Sequence, residues 1–167
     1  MFKYIQFNLK GISQILLFLL PISLLTGPAI PDISITIIAL FFLINSFWNK
    51  DFEWAKEKWV LGGLCLWLSL ILVSFFAINI KESLQNAFIF VRYIFFSIAV
   101  SYWLINEKKI LIYFLKILTL TLIFVIIDCV YQFIGYESLK GFGEDIFGFT
   151  STHYGRLTGP FNDDIPG

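Results

Sequence analysis

Charge is scarce in this chain. Asp, Glu, Lys and Arg make up 14% of its 167 residues, and twelve bases cancel twelve acids. A soluble domain carries about a quarter charged residues, so this chain lacks the polar groups to cover a water-facing surface. Its zero net charge also removes the basic face that nucleic-acid phosphates require, which excludes a nucleic-acid partner. Histidine occurs once, as His153, and cysteine twice, as Cys65 and Cys129, each inside its own apolar run. That inventory makes no metal-ligand set, and the two thiols read as small buried hydrophobes rather than a disulfide. The pattern argues against a membrane β-barrel too, because no ten-residue stretch alternates apolar and polar residues.

What the chain does have is length of apolar sequence. Apolar residues account for 58% of it, and the mean hydropathy is +0.81. A spanning helix takes about 20 mostly apolar residues, and runs at 12–30, 32–48, 59–80, 87–105 and 110–134 meet that requirement. The apolar residues surround these segments rather than forming one stripe, as expected of helices facing lipid and each other. The fold class expected is therefore an all-α membrane protein of about five transmembrane helices over residues 1–134, followed by a loop over 135–167. The first run reads as a retained helix rather than a secretory signal, since no small-residue cleavage site follows it. Lysines sit before the first run (Lys3, Lys10), in the second connector (Lys50, Lys56, Lys58) and in the fourth (Lys108, Lys109). The first connector has no base and the third only Lys81. Positive charge favours the cytoplasmic side, which predicts a cytoplasmic N-terminus and an outer-face loop from Gly135 onward.

Three ionisable residues interrupt the runs. Lys116 lies close enough to the cytoplasmic end of its span to snorkel back to the interface. Arg92 sits about 8 Å below the outer surface if its span starts at Ala87, and Asp128 about 9 Å below the same surface. Shared depth and opposite charge predict either an Arg92–Asp128 pair or an outward-facing polar cavity, with separate snorkelling as the alternative. Gln132, one helical turn after Asp128, extends the same polar patch.

The loop is rich in glycine and aromatics. Gly135, Gly141, Gly143 and Gly148 oppose one long helix, and Phe142, Phe147 and Phe149 suit anchors at headgroup level. His153 has no partner at a spacing that makes a catalytic triad. Arg156 follows Gly155 and precedes Thr158 and the turn Gly159-Pro160. A guanidinium beside free backbone amides and a hydroxyl suits a bidentate grip on phosphate.

The segment GRLTGPF, with the acidic pair and Ile165-Pro166-Gly167 after it, resembles the outer-loop motif of the O-antigen ligase/polymerase family of bacterial membrane glycosyltransferases. The arginine-bearing helix FIFVRYIFF and the helix exit YQFIGY leading into a GFG loop agree with it. The resemblance implies metal-independent, cofactor-free transfer of a glycan from an undecaprenyl-pyrophosphate carrier to lipid A core or to a growing polysaccharide. It places the chain in the bacterial inner membrane. Arg156 matches the arginine that holds the carrier's pyrophosphate, with Arg92 a second candidate, and Gly159, Pro160 and Phe161 match the motif's turn. Asp164 stands where the family often has glutamate, and Asn162 where glycine is frequent. The family's catalytic histidine lies on a later outer loop, so the chain is expected to be the N-terminal part of a longer enzyme. A transporter or flippase subunit and a non-enzymatic membrane scaffold are the competing readings.

Overall fold

A computed structural model describes residues 2–105, 107–137 and 141–149. Among them the chain is helical, and the sole extended pairing is an isolated bridge between Glu137 and Gly141. Helix α1 spans Phe2–Ser23 and runs into a 3-10 turn at Leu24–Thr26. Gly27 then takes a φ of 99°, which a residue with a Cβ rarely adopts, and α2 begins two residues later at Ala29–Asn49. The Gly27-Pro28 pair thus ends the first helix short of the expected boundary at residue 30. A 3-10 turn at Glu53–Lys56 leads to α3, Lys58–Ser74. Helix α4 spans Ile80–Ile98 and continues as a π-helical segment at Ala99–Leu104, and α5 spans Lys108–Ile134.

Four of these segments are long and apolar enough to cross a membrane: Asn8–Thr26, Ala29–Asn49, Ile80–Leu104 and Lys108–Ile134. The third expected span, 59–80, is different. Its helix ends at Ser74 after 17 residues, about 25 Å of rise against a hydrocarbon core of about 30 Å. Three turn hydrogen bonds close the end, from Phe75, Phe76 and Ala77 amides to Leu72, Val73 and Ser74 carbonyls. Helix α4 then starts seven residues before the expected Ala87, because Asn79 caps it. The Asn79 side chain accepts from the Glu82 amide and donates to the Glu82 carboxylate, a reciprocal cap across one turn. The apolar run continued through Phe76 and Ile78, both fully exposed, so hydropathy alone did not register the break.

The described residues form two compact units. One holds the chain up to Leu17 and Asp32–Ile110. Its core combines Ile38 and Phe42 of α2, Val60 of α3, and Ile94, Ile98, Trp103 and Leu104 of α4 and its π extension, all buried. Trp54, from the lysine-rich connector, tucks into the same core, its ring 5.6 Å from Phe42 and 6.0 Å from Phe95. Its indole N–H donates to the Asp51 carbonyl at 3.1 Å, which satisfies the one polar atom that burial would strand. Helices α3 and α4 form a hairpin in which the Trp67 indole donates to the Ala87 carbonyl at 2.9 Å. The Ser83 hydroxyl donates to Ser74 at 3.0 Å, and Ile94 packs at ordinary contact distance over Gly63. The second unit comprises Phe18–Pro31 and the chain from Leu111 onward.

Candidate functional site

Two polar arrangements stand out in an otherwise apolar molecule, one in each unit. In the first unit, Asp32 lies in the first turn of α2, and Thr36 follows it four residues later on the same face. Arg92 and Tyr93 come from α4. The Arg92 guanidinium donates from Nη2 to Asp32 Oδ2 at 2.5 Å and to the Tyr93 hydroxyl at 2.9 Å, and from Nη1 to Thr36 at 3.4 Å. Tyr93 in turn donates to Asp32 Oδ1 at 2.8 Å, so three side chains close a ring of hydrogen bonds. The guanidinium carbon also lies 4.8 Å from the Tyr93 ring centroid.

This corrects two expectations. The carboxylate that pairs with Arg92 is Asp32, in place of the Asp128 that depth matching singled out. The physical reason lies in α2: its first turn carries an acid close to the helix end, and that acid meets Arg92 across the α2–α4 contact. Arg92 is also a poor second phosphate ligand, because its charge is already neutralised and its Nη atoms are engaged. Only Nε, buried, has no acceptor. The arrangement ties α2 to α4 across 60 residues of sequence.

In the second unit, Asp128 and Gln132 of α5 are both fully buried. The loop after α5 folds back over them. Asp128 Oδ1 accepts the Ile146 amide at 2.7 Å, and the Gln132 carbonyl accepts the Gly143 amide at 3.0 Å. Gly141 and Gly148, at φ of 90° and 84°, turn the loop. Asp145 then fixes its tip, its carboxylate accepting the Phe149 amide at 2.7 Å and its carbonyl the Gly148 amide at 3.0 Å. Phe142 packs on Phe133 and Tyr136, and Phe147 on Phe124. Two of the three expected headgroup anchors thus also grip α5, while Phe149 is exposed. Both Asp128 Oδ2 and Asp145 Oδ2 are buried without a hydrogen-bond partner.

No family model, curated protein or solved structure matches the chain.

The remaining sequence candidates divide sharply. Lys116 is exposed on α5 with its ammonium 5.8 Å from the Tyr113 ring, one turn back toward the helix start. Cys65 and Cys129 carry free thiols, Cys65 exposed rather than buried. Among the described residues no three His, Cys, Asp or Glu side chains are placed to hold a metal ion. His153, Arg156, Thr158, Gly159, Pro160, Phe161, Asn162 and Asp164 lie outside the described residues. On the connector after α2, the Glu53 carboxylate holds the Lys56 ammonium above its usual range. That pair is fully solvated, so the fold draws nothing measurable from it.

The residue sequence reading missed is Asp32. Its signal was available: an acid in the first turn of an apolar helix. Asp145 was missed as well, because its partners are backbone amides of its own loop. The role of Asp128 yields a direct test. Asp128→Asn keeps an oxygen for the Ile146 amide and removes a charge that no base among the described residues compensates, so the loop is expected to stay docked. Asp128→Leu leaves that amide unpaired in a buried place and is expected to cost about 1–3 kcal/mol. Limited proteolysis at residues 141–149 reads the difference, and equal protection in both variants removes Asp128 from the docking of the loop.

Proposed function

We propose that the chain is a membrane glycosyltransferase of the O-antigen ligase/polymerase kind, or the portion of one that receives the lipid-linked donor. The observation that carries the reading is the segment Gly155–Phe161, GRLTGPF, joined to a helical membrane region by a loop tied down on the end of α5. In this reading the N-terminus faces the cytoplasm of a bacterium, the membrane is the inner one, and residues 135–167 face outward. The lysines of the connectors around Lys56 and Lys108 then share the cytoplasmic side, and Asn79 the outer. Helix α3 satisfies this topology if its 17 residues cross a locally thinned bilayer, which costs fractions of a kcal/mol per Å of mismatch.

The chemistry follows from the leaving group. Transfer of a glycan from a polyprenyl pyrophosphate releases a pyrophosphate whose negative charge grows as the glycosidic bond breaks. A cation placed where that charge develops stabilises the transition state more than the ground state. Arg156 supplies a planar fork for two phosphate oxygens, and Gly155 and Gly159 leave the backbone beside it bare. The acceptor is a second glycan or a lipid A core; Arg92, neutralised by Asp32, takes no part in binding the donor.

Arg156→Ala, introduced into the chromosomal gene, is expected to lower glycan transfer by about a hundredfold or more, the usual effect of removing one such electrostatic donor. Carrier-linked glycan accumulates in parallel, read by mass spectrometry of extracted lipids. Arg156→Lys keeps the charge but loses the fork, and falls between the two. Unchanged transfer in Arg156→Ala overturns the assignment.

A further inference from the structure

A cleft of about 220 Å³ opens between the start of the first membrane segment and the start of the last, lined by Lys10, Gly11, Gln14, Glu107 and Ile110. Its position is set by the sequence. Lys10 lies just inside the apolar segment that begins at Asn8, and Glu107 just before the one that begins at Lys108. Both charges therefore stand at the depth where a bilayer changes from hydrocarbon to headgroup. Lys10 and Glu107 face one cleft with opposite sign, and neither takes part in either of the ion pairs formed among the described residues. Gln14 builds the wall: its amide donates to the Leu104 carbonyl at 3.4 Å and holds α1 against the end of the π-helical segment. Gly11 keeps the floor open, since a Cβ placed there meets no atom within 4 Å.

We propose that this cleft binds the headgroup of a zwitterionic phospholipid carrying a primary ammonium, of the phosphoethanolamine type. The argument is charge complementarity at a fixed depth. A purely anionic headgroup satisfies Lys10 but is repelled by Glu107. A headgroup with a phosphate and an ammonium satisfies both, the phosphate on Lys10 and the ammonium on Glu107. A quaternary ammonium has no N–H to donate to the Glu107 carboxylate, so a choline headgroup binds less well. The acyl chains of such a lipid run down the apolar surface of the helices that flank the cleft. The residues of this site all belong to the first unit, and its occupancy does not depend on the transfer reaction.

The test is native mass spectrometry of the full chain, purified and delipidated, with phosphatidylethanolamine, phosphatidylglycerol or phosphatidylcholine returned at equal mole fraction. Phosphatidylethanolamine is expected to bind about fivefold better than either competitor, the scale of one charge–headgroup attraction at the interface, here that of the ammonium on Glu107. Glu107→Gln is expected to reverse the order in favour of phosphatidylglycerol, and Lys10→Gln to weaken all three lipids, since each carries a phosphate. Gly11→Leu fills the cleft while keeping both charges, and is expected to abolish the preference. Helicity and melting temperature of each variant, measured beside the binding, confirm that the fold is intact. Phosphatidylglycerol binding as well as phosphatidylethanolamine in the unaltered chain overturns the proposal, as does a preference that survives Gly11→Leu. Loss of glycan transfer in Arg156→Ala leaves lipid occupancy unchanged, so the two readings fail separately.

Discussion

Asp32→Ala is expected to be among the most damaging single substitutions in the membrane region, and pairing it with Arg92→Met is expected to restore most of what it loses. The single variant leaves a guanidinium inside an apolar helix with no carboxylate, at a cost of about 3 kcal/mol on insertion scales. It also strips the Tyr93 hydroxyl of its acceptor, since Asp32 Oδ1 is what that hydroxyl donates to. Arg92→Met leaves Asp32 alone and is expected to do comparable harm, while the double variant carries no charge at the site and packs as a hydrophobic contact. Replacing a buried ion pair as a whole is commonly neutral, whereas breaking one is costly. The side chains are one-quarter and two-fifths exposed in the isolated chain. Where they lie in a span, that exposure faces lipid or a neighbouring helix as well as water, so it does not soften the penalty in full. A double-mutant cycle on detergent-solubilised protein, followed by thermal melting, isolates the coupling. Additive losses mean that the ring of hydrogen bonds contributes no stability of its own. Arg92→Lys adds a finer point. An ammonium reaches Asp32 but does not serve Thr36 and Tyr93 together in a planar fork, so it is expected to recover part of the stability and no more.

The helical class and most of the helices were legible because hydropathy is a local, summed property. Runs of Ile, Leu and Phe announce membrane-length helices wherever they occur, and α2 and α5 fall within a few residues of their expected bounds. The α3–α4 boundary was illegible to the same signal because it rests on two polar residues. Asn79 and Glu82 start α4 at the end of an apolar run, and a capping pair three residues apart was the cue that hydropathy averaged away. Trp54 shows the same limit from the other side. The connector NKDFEWAKEK reads as charged and solvated, yet its tryptophan is 7% exposed within an aromatic core. Arg92 was recognisable as a residue in need of a partner; which partner was not, because Asp32 near the start of α2 and Asp128 near the end of α5 fall on the same side in the expected topology. Depth is a one-dimensional coordinate, and choosing between two acids at similar depth takes the lateral packing of helices. That packing is encoded in contacts such as Gly63 with Ile94, not in any periodicity.

The loop after α5 carries the second large prediction, because its closest approach is backbone against backbone. A Cβ built on Gly143 comes within 2.8 Å of the Gly135 Cα, and one on Gly135 within 3.0 Å of the Gly143 Cα. Neither neighbour is a flexible side chain that swings aside, so one of the two chain segments has to move. Gly143→Ala is expected to cost about 1–3 kcal/mol, the range for inserting a carbon into a filled site, and to undock the loop as a unit. Movement at Gly143 pulls its amide from the Gln132 carbonyl, and three residues on it draws Ile146 away from Asp128. Phe147 then loses its seat on Phe124. Hydrogen exchange at the Gly143 and Ile146 amides reads the event, both expected to speed up together. Two controls separate steric contact from a general intolerance of alanine. Gly62 lies inside α3 with open space where a Cβ goes, so Gly62→Ala is expected to stabilise by about 0.5–1 kcal/mol. Gly148 has the same open space but a φ of 84°, so Gly148→Ala pays only the left-handed backbone cost of about 1–2 kcal/mol and leaves the Gly143 amide protected. If Gly143→Ala exchanges no faster than Gly148→Ala at that amide, the glycine contact does not hold the loop to α5. The Phe149 amide, held by Asp145, stands seven residues before Arg156 in the sequence. In an enzyme of the proposed kind, slackening that tether is expected to lower donor transfer even though no group in contact with the donor has changed, because the arginine acts only where it is held.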